Sequence, residues 1–330
     1  MATAPPRLVL LGTAGGPLPS PARSGIASAV VVGGRTYVVD CGSGVARQLR
    51  RARLLAGLHR VCITHLHSDH TCDYFNLFLL GWPILQWAPP VVVHGPGPAG
   101  GAGAFPPDAA GHPVPLHHGA NPTPGLADLT ELQFEAHAYD INIRMRESGR
   151  HDLRPLIVPR EIVVPAGLGA GGPDRVAPAM EPVLVEEDDD VRITATLVRH
   201  APVFPAFAFR FDTDGGSVVF SGDTAPCANL VRLAQGAGTL VHEVYDDSPD
   251  PGGAGEPGSW EARRRHHHLV TSHTPLSAVG GIAADAGVGR LVLTHFIPGD
   301  DVLPDAHWAT GVAGFDGEVV AGADLMELDL

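Results

Sequence analysis

The chain contains no lysine: its 22 lysine-plus-arginine residues are all arginine, and they are set against 36 acidic residues. The formal net charge at pH 7 is −14. Proteins that bind nucleic acids usually present a dense basic surface to the phosphate backbone. The composition therefore argues against a large polyanionic substrate. It does not argue against a small anionic one, because a bound metal ion supplies local positive charge.

Cysteine is also scarce, and the four cysteines are scattered without a paired spacing. Neither a disulfide framework nor a thiolate zinc site is therefore predicted. No apolar run approaches the length of a membrane span, and residues 1–13 lack the features of a secretory signal. We therefore expect a cytoplasmic protein with no membrane partner, and 330 residues suffice for one large domain or two small ones.

The densest group of ionisable side chains lies in residues 60–72, which read RVCITHLHSDHTC. The apolar residues at its start have the character of a buried strand end. If the chain stays extended, His65, His67 and Asp69 point to one side, because side chains alternate along a strand. His70 follows at the turn into a predicted helix. Neutral imidazoles and carboxylates are typical ligands of zinc and similar cations, so the motif predicts a metal site.

Five apolar segments with strand character each end in a histidine or an acidic residue. The alternation of residues 191–198, for example, ends at His200, and a hairpin predicted over residues 207–221 ends at Asp223. Such side chains converge where their strands share a sheet edge, at which loops place ligands and catalytic groups. One site built from distant segments is therefore predicted, with these residues at the strand ends: His65 and His67, His200, Asp223, Glu243 and His295.

Residues 95–190 are rich in glycine and proline, and we interpret them as an insertion or lid within a single domain of residues 1–330. The more ordered part, residues 129–152, contains the strand-like sequence ELQFEAHAY, followed by DINIRMRESGRHD. Arg144 and Arg146 are two positions apart, so on an extended segment both could face one pocket and bind an anionic group of the substrate. Ordinary surface ion pairs are an equally weighted alternative for these arginines.

Three further features receive structural interpretations. Asp40 ends a predicted hairpin and is interpreted as a hydrogen-bond acceptor for nearby backbone amides rather than as a ligand. His242 is interpreted as structural. Residues 246–265 are predicted to form a polar loop that runs into RRRHHH, and the three histidines at 266–268 are interpreted as a solvated run.

The segment THLHSDH, followed at a distance by His200, Gly222-Asp223 and Thr294-His295, resembles the metallo-β-lactamase superfamily in order and in strand context. The resemblance covers nearly the whole chain. It implies an α/β fold, the αββα sandwich, with a dinuclear metal site at one sheet edge and the Gly/Pro-rich insertion before the third ligand motif. LLGTAGGP, YVVDCGSG, His242-Glu243 and SHTPLSAVGGIAADAGVGRLVLTHF resemble the branch that holds ribonuclease Z and arylsulfatase-like enzymes.

The resemblance implies two ligand sets that share one aspartate: His65, His67 and His200 for one metal, Asp69, His70 and His295 for the other, and Asp223 between them. The expected cofactors are two Zn²⁺ ions, with manganese and iron left open. Two neighbouring cations lower the pKa of a shared water, so a bridging hydroxide is the expected nucleophile. The catalytic residues implied are Asp69, His273 and Glu243, with Glu243 orienting His273 so that it can protonate the leaving oxygen or hold an oxyanion.

Three functions follow, and the first is preferred: a dinuclear-metal hydrolase of a small, anionic ester, either an arylsulfatase-like sulfate ester or a phosphodiester. The alternative is ribonuclease Z, which trims the 3′ end of tRNA. Nucleic acid is the less favoured partner because the chain is acidic and only a hairpin separates His200 from Asp223, where ribonuclease Z enzymes commonly carry a tRNA-gripping arm. A non-catalytic metal-binding scaffold is the third hypothesis. A homodimer is suggested only by the resemblance.

Overall fold

The computed structural model describes residues 5–100, 105, 111–171, 175–248, 259–299 and 303–330. Fourteen strands lie within these ranges: β1 Arg7–Gly12, β2 Ala27–Val32, β3 Arg35–Val39, β4 Leu58–Cys62, β5 Val91–Pro96, β6 Ile157–Ile162, β7 Val183–Glu187, β8 Val191–Leu197, β9 Phe207–Thr213, β10 Gly216–Phe220, β11 Thr239–Tyr245, β12 Arg290–Ile297, β13 Glu318–Ala321 and β14 Glu327–Asp329. The α-helices described are α1 Val45–Arg51, α2 Ser68–Thr71, α3 Tyr74–Leu85, α4 Leu126–Ala136, α5 Ala138–Glu147, α6 Ala228–Ala234, α7 Trp260–Ser272, α8 Leu276–Ala286 and α9 Asp305–Gly311.

The strands form two seven-stranded mixed sheets with helices on their outer faces, which confirms the predicted αββα sandwich. The first sheet has the order β14-β1-β2-β3-β4-β5-β6 and the second β13-β12-β11-β10-β9-β8-β7. Strands β3 to β6 run parallel to one another, and so do β10 to β13. Parallel neighbours bring their carboxyl ends to the same sheet edge, so the segments that leave β4, β10, β11 and β12 can share one site.

Alternation along the strands divides the apolar side chains between three cores. On β9, Phe207, Phe209 and Phe211 point between the sheets, whereas Ala208 packs with the helices that cover the second sheet. On β1, Leu8 points between the sheets and Val9 toward the helices of the first sheet. Period-two alternation in which both faces are apolar is the pattern of a sheet buried on both sides.

The strand-like prediction for ELQFEAHAY, residues 131–139, is wrong, because these residues lie in α4 and at the start of α5. Leu126, Thr130 and Phe134 are buried at a spacing of four, which is the helical repeat. The alternation of ELQFEAHAY hid this longer period. The predicted insertion, residues 95–190, also contributes to the sandwich itself. Its residues 157–162 and 183–187 form an edge strand of the first and of the second sheet, respectively.

Arg144 and Arg146 therefore lie on a helix, where residues two apart point in different directions. The premise that both face one pocket from an extended segment is wrong. Arg144 Nε donates to the Asp140 carboxylate at 2.9 Å, and Arg146 Nη1 donates to the Asn142 carbonyl at 2.9 Å. Their role in substrate binding stays a prediction.

The polar loop predicted to run into RRRHHH is partly wrong as well. Residues 260–272 form α7, which begins at the N-cap Ser259, whose hydroxyl accepts from the Ala262 amide. Residues 249–258 of that prediction lie outside the described part of the chain. None of the described helices is long and apolar enough to cross a membrane.

Candidate metal centre

All seven proposed ligands come together where the loops leave one edge of the sandwich. The turn after β4 carries His65 and His67, and α2 carries Asp69 and His70. The segments after β8 and β10 carry the next two proposed ligands, and the last lies within β12. The seven form two overlapping groups with ligand atoms within 4.8 Å of one another: His65, His67, His200 and Asp223 in the first, and Asp69, His70, Asp223 and His295 in the second.

Imidazole nitrogens dominate the first group. His200 Nε2 lies 3.1 Å from His67 Nδ1, and His65 Nε2 lies 3.9 Å from Asp223 Oδ2. His200 Nδ1 donates to the carbonyl of Ser272 at 2.8 Å, which turns Nε2 toward the group as an acceptor. This is the arrangement by which a backbone carbonyl fixes the tautomer of a metal-binding histidine.

The second group pairs two imidazoles with two carboxylates. Asp223 Oδ1 lies 3.3 Å from His70 Nε2 and 3.4 Å from His295 Nε2. Asp69 Oδ2 lies 3.4 Å from His295 Nε2. Asp223 thus faces the first group with Oδ2 and the second with Oδ1, which is the geometry required of a shared ligand.

Asp40 orients this second group from behind. Its Oδ1 accepts from the Thr64 amide at 2.8 Å, and its Oδ2 accepts from His70 Nδ1 at 2.8 Å. The expected hydrogen bond to a backbone amide is therefore present. The bond to His70 adds a second function, because it fixes the proton on Nδ1 and leaves Nε2 free to bind a cation.

Asp40→Asn is expected to lower the affinity for metal by roughly 10- to 100-fold, because the amide cannot hold His70 in this tautomer as well. The measurement is competition between the metal-free protein and a chromophoric chelator. Asp214→Asn, which changes an exposed carboxylate in the β9–β10 turn, serves as the control. Equal affinities in the two variants would contradict the assigned role of Asp40.

Buried polar atoms without partners test whether the site fits metal ions. Among the described residues, the buried atoms His65 Nε2, Asp223 Oδ1 and His295 Nδ1 have no hydrogen-bond partner. Such atoms are costly unless something satisfies them. Two of these three atoms point into the ligand groups, and the full set of five imidazoles and two carboxylates suits zinc-like cations. The residues therefore fit a dinuclear metal centre.

The pKa values of the same side chains agree with this fit. Burial lowers the pKa of His65 and of His200 well below the ordinary value, so both imidazoles are neutral and ready to bind a cation. Burial alone would raise the pKa of Asp223, but the neighbouring His295 and His70 hold it well below its usual range. Burial likewise opposes the charge of His70, yet Asp223 and Asp40 raise its pKa, so a cation there would displace a proton.

His295 reaches the centre through a distortion of its strand. The residues before and after it pair with consecutive residues of β11, Glu243 with Thr294 and Val244 with Phe296, so His295 is the extra residue of a bulge. Its φ of 47° lies in the left-handed region, which is uncommon for histidine. Bulges redirect side chains at functional sites, and such strain persists only when the surroundings hold it.

His273 and Glu243 form a buried pair beside the two groups, as the resemblance implies. His273 Nδ1 lies 3.0 Å from Glu243 Oε2, and the Thr224 amide donates to Glu243 Oε1 at 2.6 Å. Burial and the charge of Asp223 raise the pKa of Glu243 well above normal, and burial lowers that of His273. His242 points elsewhere: its Nδ1 donates to the Glu243 carbonyl, and burial lowers its pKa to about 4.

His268 was missed by the sequence analysis, which treated it as part of a solvated run. Its Nε2 lies 3.3 Å from His273 Nε2, and both rings line a cavity of about 280 Å³ together with His67, Asp69, Asp223 and His295. The available signal was Ser259, which is a typical N-cap residue and predicts a helix that begins at Trp260. On that helix, residues four apart lie on one side, which places His268 on a defined face.

The sequence model of the Metallo-beta-lactamase superfamily matches residues 22–266, which is most of the chain. The chain belongs to this superfamily. Within it, "Ribonuclease Z" of Mycobacterium avium (strain 104) is 33% identical over 323 residues, which cover 96% of this chain and 96% of that protein. This metallo-β-lactamase-superfamily chain is therefore ribonuclease Z-like along its length.

Two solved structures share the superfamily fold. The short form of human tRNase Z superposes with a TM-score of 0.63 at 20% identity, covering 98% of both chains. The metallo-beta-lactamase fold protein YhfI from Bacillus subtilis gives a TM-score of 0.62 at 18% identity, covering 99% of this chain and 100% of that one. At these identities the likeness establishes the fold alone.

The sequence analysis ranked a small-ester hydrolase above ribonuclease Z, and the comparisons do not support that ranking. The coarser prediction, a metal-dependent hydrolase of the metallo-β-lactamase superfamily, is confirmed by the family match and the ligand groups. The relatives that match over nearly the whole chain favour the alternative instead. The preference rested on net charge and on the short hairpin between His200 and Asp223. Net charge averages over the whole surface and says little about one site.

Proposed function

We propose that the protein is a metal-dependent phosphodiesterase with the activity of a ribonuclease Z, which removes 3′ extensions from precursor tRNA. The observation that carries the proposal is the 33% identity to ribonuclease Z over 96% of the chain. The metal centre supports it, because both ligand groups and the His273–Glu243 pair are complete. A scaffold that had lost catalysis would have no need of all of these residues.

The proposed ligands divide as the two groups do, with Asp223 shared: His65, His67 and His200 would hold one cation, and Asp69, His70 and His295 would hold the other. Two bound cations supply positive charge for the oxygens of a phosphodiester and lower the pKa of water. The side chains themselves fix the positions at which that charge is placed, since Asp40 and the Ser272 carbonyl hold His70 and His200 in single tautomers.

Proton transfer is assigned to His273. Its Nδ1 faces Glu243, so the ring proton is held there and Nε2 is directed toward the cavity beside His268. Nε2 can accept a proton from the attacking water and, as imidazolium, deliver it to the leaving oxygen. Glu243 holds the ring in place and, when ionised, stabilises the imidazolium. Glu243 is therefore a positioning residue, and His273 is the catalytic acid and base.

The chain leaves little room for an RNA-gripping arm between His200 and Asp223. These residues are joined by a short turn and by the hairpin of β9 and β10. Recognition of an RNA would have to use another surface near the metal centre. The same compactness favours a second candidate, a phosphodiesterase of small substrates, which needs no such surface.

A side-by-side turnover assay of the zinc-loaded protein tests the proposal, with precursor tRNA and bis(p-nitrophenyl) phosphate as substrates. We expect cleavage of the tRNA at one position near its 3′ end, with a kcat/KM well above that for the small diester. Asp69→Ala, purified in parallel, controls for contaminating nucleases. Turnover of the small diester with intact precursor tRNA would replace the proposed function by the second candidate.

A further inference from the structure

The helix that ends at the metal centre carries the longest run of arginines in this acidic chain. These are the three arginines at 263–265, on α7. The last residue of α7, Ser272, is fixed to the site twice: its carbonyl accepts from His200 Nδ1 at 2.8 Å, and its hydroxyl donates to the Ala201 carbonyl. His273 follows directly, so the helix is a basic extension of the centre.

One side of α7 combines three kinds of side chain that bind nucleic acids. Trp260, Arg264 and His268 are spaced by four residues and therefore lie above one another on the helix. The Arg264 guanidinium lies 5.7 Å from the centre of the Trp260 ring, and Trp260 is 37% exposed. His268 lies 3.3 Å from His273 at the other end. The three define the α7 track.

We propose that the α7 track binds the single-stranded part of an RNA substrate that flanks the scissile phosphodiester. This inference rests on the proposed function and names the surface by which an acidic protein with only a hairpin between His200 and Asp223 holds RNA. Arg264 pairs with a backbone phosphate, Trp260 stacks on a base, and His268 contacts the nucleotide next to the reacting phosphate.

The dimensions and the charge of the helix agree with that occupant. The nine residues from Trp260 to His268 span a rise of about 12 Å, so the track reaches beyond the reacting phosphate and past what a small diester occupies. Guanidinium groups bind phosphate through paired hydrogen bonds, and an aromatic ring accepts the face of any base. Arginine and aromatic side chains interleaved in this way are typical of single-strand binding that tolerates many sequences.

Binding of a short, fluorescently labelled single-stranded RNA, followed by anisotropy at several salt concentrations, tests the track apart from cleavage. His273→Ala serves as the background, so that cleavage during the titration is slow. Adding Arg264→Gln is expected to raise Kd roughly fivefold and to reduce the slope of log K against log salt by about one. Arg264→Lys should restore that slope. Arg192→Gln, an exposed arginine on β8, should leave both unchanged.

Kinetics distinguish the track from the metal centre. In the catalytically intact protein, Arg264→Gln should raise KM for precursor tRNA while kcat and the turnover of bis(p-nitrophenyl) phosphate stay the same. Equal Kd values for Arg264→Gln and Arg192→Gln, or no RNA binding by the parent, would overturn the inference. Arg264-dependent RNA binding without tRNA cleavage would overturn the proposed function alone, and cleavage indifferent to Arg264 would overturn the track alone.

Discussion

Asp223→Ala is expected to remove at least one metal ion per chain and to lower kcat/KM for phosphodiester hydrolysis by at least about 10³-fold. Asp223 is the single residue common to both ligand groups, with Oδ1 facing His70 and His295 and Oδ2 facing His65. Its loss removes a ligand from each group. It also removes the carboxylate that lies beside the imidazoles of both groups. Metal content by elemental analysis and turnover of both substrates are the measurements.

The matched control for this change is Asp214→Ala, which lies in the turn of the hairpin that precedes Asp223 and is exposed. It removes the same chemical group from the same segment and should alter neither metal content nor turnover. If Asp223→Ala kept two metal ions per chain and full activity, the two groups would not act as one centre.

His273→Ala is expected to lower kcat for precursor tRNA by about 10²- to 10⁴-fold, because it removes a positioned proton donor and acceptor. Metal content should not change, since in the proposed arrangement His273 is not a ligand. Glu243→Gln should lower kcat less, because the amide still holds the His273 ring but no longer stabilises its charge.

The control for His273→Ala is His117→Ala, an exposed histidine outside the site, which should behave as the parent protein does. A leaving group that needs no protonation gives a second readout: phosphodiesters with acidic leaving groups should lose less rate than precursor tRNA. Loss of metal in His273→Ala, or an equal loss of rate for every leaving group, would mean that His273 acts as a ligand or as support.

The ligands could be predicted from the sequence because their chemistry and their strand ends are both local signals. His65 and His67 stand at alternate positions in one short motif, and Asp223 follows directly on an apolar alternating segment. The extended chain expected as far as Asp69 is wrong, because α2 begins at Ser68 and carries Asp69 to the second ligand group. Once the strands are parallel neighbours, convergence at one edge follows from topology. His295 could be placed at the site but not in its bulge, because that bulge depends on pairing with β11, a strand distant in the sequence.

The errors come from segments in which the apolar period is ambiguous or absent. In residues 129–152 the alternation of ELQFEAHAY masks the spacing of Leu126, Thr130 and Phe134, and only packing against the first sheet decides between them. In α7 the polar run hid a helix that Ser259 begins, and with it His268. A polar segment carries no apolar period, so neither its helical form nor its approach to His273 could be read from hydrophobicity.

Anomalous diffraction from crystals of the zinc-loaded protein tests the central claim most directly. Two peaks are predicted, one bound by His65, His67 and His200 and the other by Asp69, His70 and His295, with Asp223 bound to both. A single peak, or peaks out of bonding reach of Asp223, would contradict the dinuclear centre on which the proposed hydrolysis depends.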